Sequence, residues 1–361
     1  MKKIHVLLLC LMAMLMASCE PDVPNDSGTV TIGKGVFVIN EGSFTNGGST
    51  LTFYNPEMDT VANQLFYRAN NGVVLGDTGQ SLALIDGMLY IVVNNSNIIY
   101  KVDANTIKCD LTKPYMLTDF ESPRYMLAVA PDKAYVSDLI STALWIVNPQ
   151  DMTHTGSIDM GKSTETMVQV GRELYVTNWS KYYVPGMENN TVQVVDIEND
   201  VKVAEITVGK EPNGMVVDKN GEIWVLCEGA MWDLEPGVPE LWKIDPVTKE
   251  ASLMVSFTET TLNLAIDPTG SHLYYVRGGD WTSSGDIHRV SIDTPTVEDA
   301  FLIPSEGKMF YKIAVDPNNG DVYVTDSKNY TVDGEVYRYS SDGVLLGSFT
   351  AGICPGFMLF N

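Results

Sequence analysis

The stretch KIAVDPNNGDVYVTD (312–326) contains two runs of β-branched, apolar and aromatic residues on either side of a turn. In the turn, an Asp-Pro pair precedes two asparagines and a glycine, residue types that tight turns favour because they accept the required φ angles. Two such runs joined by a short turn predict a β-hairpin. The chain lacks the sustained 3.6-residue period of a long helix, so strands are expected to dominate.

The second run of this hairpin recurs along the chain, each time with an aromatic residue among β-branched or apolar neighbours. Six copies follow a similar strand and turn, and every copy precedes a third and a weaker fourth strand. Four short antiparallel strands in repeats of about fifty residues predict an all-β fold, a seven-bladed β-propeller over 35–361. Even spacing without a linker argues against two separate domains. The seven copies are GVFVIN (35–40), GMLYIVVN (87–94), KAYVSD (133–138), RELYVTN (172–178), GEIWVLC (221–227), HLYYVRG (272–278) and GDVYVTD (320–326).

The first repeat lacks its innermost strand. The C-terminal run PGFMLFN (355–361) is similar to that missing strand. We therefore expect it to pair beside GVFVIN and close the ring. Closure removes the exposed strand edges that promote aggregation.

The N-terminus has the pattern of a processed export signal. Basic MKK precedes the short apolar run VLLLCLMAMLMA, and MASC, ending at Cys19, resembles a bacterial lipobox. We predict a lipoprotein signal peptide at 1–18, a lipidated Cys19 and a flexible polar tether over 19–34. The acidic residues after Cys19 resemble the surface-export signal of Bacteroidetes lipoproteins, which implies an anchor on the extracellular face of the outer membrane. An ordinary secretory signal is the alternative.

The charge balance makes nucleic acid an unexpected partner. The chain has 46 acidic and 23 basic residues, for a net charge of −23, which repels phosphate backbones. The cysteines Cys109, Cys227 and Cys354 are interpreted as buried unpaired thiols.

The sequence has few features that point to a catalytic site. The three histidines beyond the signal are His154, His272 and His288, and they are predicted to lie away from the long loops described below. No HExxH, P-loop or nucleotide fingerprint occurs, so we expect no enzyme, no metal centre and no cofactor. A structural calcium remains open. A carboxylate pair that cleaves glycosides also remains an alternative, among Glu41, Glu121, Glu165, Glu228, Asp233, Asp280 and Asp326.

The connections between the second and third strands of the repeats differ in length. The long ones are 40–49, 178–190, 228–240, 277–285 and 326–334. In a propeller these connections emerge on one face, which we call the long-loop face. Aromatic residues at its tips and neutral polar groups around them favour a large, flat or ring-shaped ligand with neutral polar groups. The alternative is that each aromatic side chain caps its own loop.

Connections between successive blades reach the same face. There Arg68, Asn70, Phe120 and Arg124 are expected to point toward the central channel. The predicted ligand-binding residues are Phe44, Asn46, Arg68, Arg124, Trp179, Tyr182, Tyr183, Trp232, Asp280, Trp281 and Tyr330.

Several short sequence stretches resemble those of known propellers. LYVTN (174–178), AVDPNNGDVYVTD (314–326) and VVDIENDVKVAEITVG (194–209) resemble the YncE-like family of seven-bladed propellers. With its lipobox and the opening GVFVINEGSF (35–44), the chain is similar to the surface vitamin B12-binding lipoproteins of gut Bacteroides. That resemblance implies non-enzymatic capture of cobalamin and its delivery to an outer-membrane TonB-dependent transporter. A glycan-binding propeller of a polysaccharide-utilisation system, or a propeller lyase or glycosidase, remain alternatives.

Overall fold

The aromatic-rich runs form the second strand of every blade and are almost completely buried. All five residues of Val36–Asn40 are buried, as are all five of Ile223–Cys227. Such strands pack against neighbouring blades on both faces, which explains their nearly continuous apolar sequence. The computed structural model describes residues 32–180, 189–230, 236–280, 283–296 and 302–361, and seven sheets form there. The predicted seven-bladed β-propeller is confirmed.

Blade 1 closes the ring with strands from both ends of the chain. The C-terminal strand lies innermost and pairs antiparallel with the first strand, with Val36 opposite Phe360 and Ile39 opposite Phe357. The backbone N–H of Asn361 donates to the carbonyl of Gly35 at 2.9 Å. The predicted closure is confirmed. From the inside outward the strands are Pro355–Phe360 (β27), Val36–Asn40 (β1), Thr50–Asn55 (β2) and Thr60–Ala62 (β3).

Blades 2 to 7 follow in chain order, each with its first strand innermost. Blade 2 contains Gly79–Ile85 (β4), Met88–Val93 (β5), Ile98–Asp103 (β6) and Met116–Leu117 (β7). Blade 3 contains Pro123–Ala130 (β8), Lys133–Asp138 (β9), Ala143–Asn148 (β10) and Thr153–Asp159 (β11). Blade 4 contains Met167–Val170 (β12), Glu173–Thr177 (β13), Thr191–Asp196 (β14) and Val201–Thr207 (β15). Blade 5 contains Pro212–Val217 (β16), Ile223–Cys227 (β17), Glu240–Ile244 (β18) and Ala251–Ser256 (β19).

Blade 6 differs from the four-strand pattern. Its described residues form the three strands Thr261–Ile266 (β20), His272–Gly279 (β21) and Ser284–Ser291 (β22). A single bridge between Ile287 and Ile303 replaces the fourth strand there. Blade 7 is complete, with Phe310–Val315 (β23), Val322–Asp326 (β24), Asp333–Tyr339 (β25) and Leu345–Ile353 (β26).

Helical segments within the described ranges are short. The α-helix Leu65–Ala69 (α1) connects blade 1 to blade 2, and a 3-10 turn covers Asn94–Ser96. No helix there has the length and apolar character needed to cross a bilayer. The predicted signal peptide at 1–18, Cys19 and the tether up to residue 31 lie outside the described residues.

The core lies between the blades rather than within them. Between blades 2 and 3, for example, Tyr90 and Val92 pack with Met126 and Val136. Equivalent clusters join the following pairs of blades and blade 7 to blade 1. In the described part of the chain, Cys109, Cys227 and Cys354 form no disulfide. Cys227 and Cys354 are buried, as predicted for unpaired thiols, whereas Cys109 is half-buried.

Backbone hydrogen bonds tie the long loops to the connections between blades. The N–H of Glu41 donates to Cys354 at 2.9 Å, that of Glu228 to Glu211 at 2.9 Å, and that of Ser327 to Met309 at 3.0 Å. Each bond joins a loop between second and third strands to a connection between blades. Both sets of loops therefore share the long-loop face, as the sequence predicted.

Candidate functional site

A ring of β-bulges surrounds the central channel on the long-loop face. In six blades the pairing of the two innermost strands shifts register near the long-loop end. A bulge leaves a residue out of the ladder and turns its side chain away from the regular direction. The residues of the inner strands that these shifts leave out are Gln80, Arg124, Tyr125, Asn213, Asn263, Leu264, Tyr311, Lys312 and Gly356.

Most of these residues line a cavity of about 230 Å³ in the channel. Its polar lining includes Gln80, Asn213, Asn263 and Lys312, together with Glu41. All seven inner strands contribute to the wall or lie directly beside it, so the cavity lies on the axis of the ring. We call its opening on the long-loop face the channel mouth.

Arg124 forms a buried ion pair beside this opening. Its Nε donates to both carboxylate oxygens of Glu165, at 3.0 and 2.8 Å, and Nη1 donates to Oε1 of Gln80 at 2.6 Å. The side chains of Arg124 and Glu165 are 14% and 1% exposed. Burial disfavours the charged guanidinium, but the Glu165 carboxylate outweighs burial and raises the pKa of Arg124. The guanidinium therefore stays charged, and its bonds to Glu165 and Gln80 fix its plane.

Trp179 lies over that guanidinium and is held from its other side. The Arg124 Cζ atom lies 5.7 Å from the centre of the indole, a cation–π distance. The indole Nε1 donates to Oε2 of Glu228 at 3.1 Å, and Asn213 Nδ2 donates to Oε1 of the same carboxylate at 2.9 Å. Burial raises the pKa of Glu228 to about 7, against the opposing effects of Lys312 and Asn213. A half-buried indole thus has fixed contacts to blades 3 and 5.

A second aromatic group lies where blade 7 meets blade 1. The Tyr311 hydroxyl donates to Oε1 of Glu41 at 2.9 Å, and the Cys354 thiol lies 3.7 Å from Oε2. Tyr330 packs edge-on against Tyr311, with ring centres 5.8 Å apart. Burial, followed by the charge of Glu41, raises the pKa of Tyr311 well above its ordinary value. Tyr330 is therefore partly used in supporting its own side of the mouth.

Three predicted binding residues lie at loop tips. Phe44 is 70% exposed. Asn46 is exposed and its amide donates to Ser43 Oγ and the Phe44 carbonyl, both at 3.4 Å, so it stabilises its own turn. Asp280 is exposed and accepts from the backbone N–H and hydroxyl of Ser283, at 2.9 and 3.1 Å.

The prediction that the blade connections point into the channel is wrong for Asn70 and Phe120. The helix carrying Arg68 packs outward, with Phe66 against Tyr100 of the third strand of blade 2 at 4.9 Å, and Arg68 is not among the residues that line the cavity. Asn70 donates to the carbonyl of Ile107 at 2.8 Å. The Asn70 side chain therefore ties helix α1 to blade 2 instead.

Phe120 is also a packing residue. It is 4% exposed and lies against Trp145 and His154, with ring centres 6.0 and 4.9 Å away. Tyr182, Tyr183, Trp232 and Trp281 were predicted to join Trp179 at the mouth. They lie outside the described residues.

The sequence interpretation missed the polar residues inside the channel. Five blades have a polar residue near the start of the inner strand, namely Gln80, Thr166, Asn213, Asn263 and Lys312. Their recurrence in the same part of the repeat, close to the beginning of the inner strand, is the signal that aligned repeats would have given. A single copy carries no such signal, because one polar residue at a strand end is ordinary.

Comparison with known proteins places the chain in a family. The chain belongs to the family described as Domain of unknown function (DUF5074), which it matches over residues 34–346. Among proteins with curated descriptions, no sequence matches.

Solved structures share the fold at low sequence identity. A quinonprotein alcohol dehydrogenase-like protein from Bacteroides thetaiotaomicron has a TM-score of 0.69 and 15% identity, over 91% of this chain and 78% of its own. The periplasmic gluconolactonase PpgL of Pseudomonas aeruginosa has a TM-score of 0.65 and 12% identity, over 91% and 98%. A putative 6-phosphogluconolactonase from Bacteroides uniformis has a TM-score of 0.64 and 15% identity, over 91% and 99%. These likenesses establish the propeller fold alone.

Proposed function

We propose that this propeller of the DUF5074 family captures corrinoids such as vitamin B12 on its long-loop face, by binding alone. The observation that carries the proposal is the fixed indole of Trp179 at the channel mouth, beside Arg124 and above a ring of neutral amides. A corrin is a broad disc edged with amide groups. An indole supplies apolar contact to such a disc, and amide side chains exchange hydrogen bonds with its edge.

The mouth is organised before a ligand arrives. The Arg124 guanidinium has three donor contacts to Glu165 and one to Gln80, and the Trp179 indole is anchored on Glu228. A side chain that is already ordered loses little entropy on binding, which favours affinity. The 70% exposed Phe44 adds apolar surface on the same face for a ligand wider than the channel.

The predicted lipid anchor at Cys19 would hold the ligand-binding propeller at the outer membrane, where uptake takes place. A tether at 19–34 would let the propeller reach an outer-membrane TonB-dependent transporter and release its ligand there. This sequence of events requires no covalent chemistry, no metal centre and no cofactor of the propeller itself.

Calorimetry with cyanocobalamin tests the proposal directly. We expect a saturable heat with a stoichiometry of one, and co-elution of the red ligand with the protein on size exclusion. A silent titration at micromolar protein rejects the ligand assignment. A silent titration with a positive glycan array supports the glycan-binding alternative instead.

A second candidate function is hydrolysis, which one observation favours. Glu228 is a half-buried carboxyl at the channel mouth with a pKa of about 7, suited to general acid–base catalysis at neutral pH. Turnover of a lactone or glycoside panel that disappears in Glu228→Gln would establish this function. Absence of turnover with intact cobalamin binding would exclude it for that panel.

A further inference from the structure

The cavity in the central channel is a separate space from the broad face above it. At about 230 Å³ it lies below the roughly 300–1,000 Å³ of pockets for drug-sized ligands, so a corrin ring cannot enter it. Its lining changes character with depth. Gln80, Thr166, Asn213 and Asn263 provide neutral polar groups, and Met215, Leu264, Ile313 and Met358 provide apolar surface. Such a lining suits a small molecule with one polar end.

The described carboxylates at the mouth already have donors of their own. Glu165 is bound by Arg124, Glu228 by Trp179 and Asn213, and Glu41 by Tyr311 and the Cys354 thiol. Each of these carboxylates thus has hydrogen-bond donors within the protein, and Arg124 also compensates the charge of Glu165.

Lys312 is different, because within the described ranges its ammonium makes no hydrogen bond or ion pair. Nζ lies 5.0 Å from the centre of the Tyr311 ring, and its charge opposes the rise in the pKa values of the nearby Glu228 carboxyl and Cys354 thiol. The side chain is half-buried and lines the cavity beside Asn263 and Asn213. A half-buried ammonium with three unused donors is costly unless a ligand or water satisfies it.

We propose that the central channel binds a small organic carboxylate, with its anionic group on Lys312 and its remaining polar groups on the surrounding amides. The short apolar portion of such an acid fits against the deeper side chains Met215 and Ile313. This site shares the channel amides with the corrinoid proposal, but it differs from that proposal in the ligand class and in the charged residue, Lys312.

Saturation-transfer difference NMR with 3-hydroxybutyrate as the probe tests this site, and neutral 1,3-butanediol is the matched control ligand. We expect saturable binding of the acid and at least tenfold weaker binding of the diol. Lys312→Met keeps the length of the side chain and removes its charge, so affinity for the acid should fall about tenfold or more. Lys308→Met, in the same blade but outside the cavity lining, should bind the acid as wild type does.

Equal saturation by acid and diol, or undiminished acid binding by folded Lys312→Met, overturns the proposal. If Lys312→Met does not fold, ¹⁵N-lysine labelling of the wild-type chain provides the readout. Addition of the acid should then shift the Nζ signal of Lys312, assigned with Lys312→Arg, while the Lys308 signal stays in place. An unmoved Lys312 signal at saturating acid also overturns the proposal.

Discussion

The indole Nε1 of Trp179 donates a hydrogen bond to Oε2 of Glu228 across 3.1 Å, joining a long loop of blade 4 to one of blade 5. The two residues are 49 positions apart in sequence. The bond fixes the orientation of the aromatic ring at the channel mouth, and it also gives the buried carboxyl a donor. The position of the ring and the protonation state of Glu228 are therefore coupled.

Replacing Trp179 should weaken cobalamin binding more than replacing any other described aromatic residue does. Trp179→Ala removes the ring and its contact with Arg124, so we expect affinity to fall by about 30-fold or more, the range of an interfacial hot spot. Calorimetry measures the change. Trp242→Ala is the matched control, because its indole also donates to a glutamate, Glu240 at 2.8 Å, but belongs to the third strand of blade 5. Equal losses in the two variants would contradict a specific role for Trp179.

Tryptophan fluorescence should titrate with a midpoint near the pKa of Glu228. That pKa is about 7, raised by burial from an ordinary value of 4.5. Protonation changes the acceptor of the Trp179 indole, so emission should change between about pH 6 and 8. Glu228→Gln should remove this transition, whereas Glu335→Gln, in blade 7, should retain it. A transition that survives in Glu228→Gln would assign it to another group.

The free energy of unfolding should also depend on pH through Glu228. Because the folded pKa of Glu228 lies above its unfolded value, the native state binds the proton more tightly. The stabilisation that this bound proton gives the native state is fully present below about pH 4.5 and is lost as pH rises through about 7. From the linkage relation the free energy of unfolding should fall by about 3 kcal/mol at most over this window. Urea denaturation at several pH values should show a flatter profile for Glu228→Gln than for wild type.

Breaking the buried ion pair should destabilise the fold strongly. Arg124→Met leaves the 1% exposed Glu165 carboxylate without its cation, which we expect to cost about 3–5 kcal/mol in urea denaturation. Adding Glu165→Gln should recover part of the loss, because the uncompensated charge is gone. Arg289→Met is the control, since Arg289 and Asp342 are 33% and 86% exposed and form a pair at 4.0 Å that should contribute about 0–1 kcal/mol. A loss no greater than the control's would contradict the assigned burial.

Removing the closing strand should make the chain aggregate. Deletion of residues 355–361 exposes the edge of β1, whose five residues are all buried in the intact protein. Size exclusion with light scattering should show large species. Deletion of Asn361 alone removes its bond to the Gly33 carbonyl at 2.7 Å and should leave the elution of the wild type unchanged. A monodisperse, folded product of the longer deletion would show that closure is dispensable.

The amino-acid sequence by itself determined the architecture. Repeated hairpins such as 312–326 carry their turn chemistry and apolar runs locally, so the number of blades and the pairing of 355–361 with β1 followed from repetition. Since strands alternate direction, the side on which the long loops emerge followed from counting strands. Trp179 and Arg124 were recognised as candidates on that basis, and the structure brings them together.

Only the tertiary structure decided which side chains reach the channel. The bulges that aim Gln80, Asn213, Asn263 and Lys312 inward are register shifts between strands, and a register shift is a property of a pair of strands rather than of one segment. The pairing of Trp179 with Glu228 likewise depends on the rotation between adjacent blades. The short helix that carries Arg68 is likewise placed by tertiary packing, since its Leu65 and Phe66 are buried and Phe66 contacts Tyr100 of blade 2. Local patterns specify strands and turns, whereas the convergence of residues from seven blades depends on how those strands pack around a common axis.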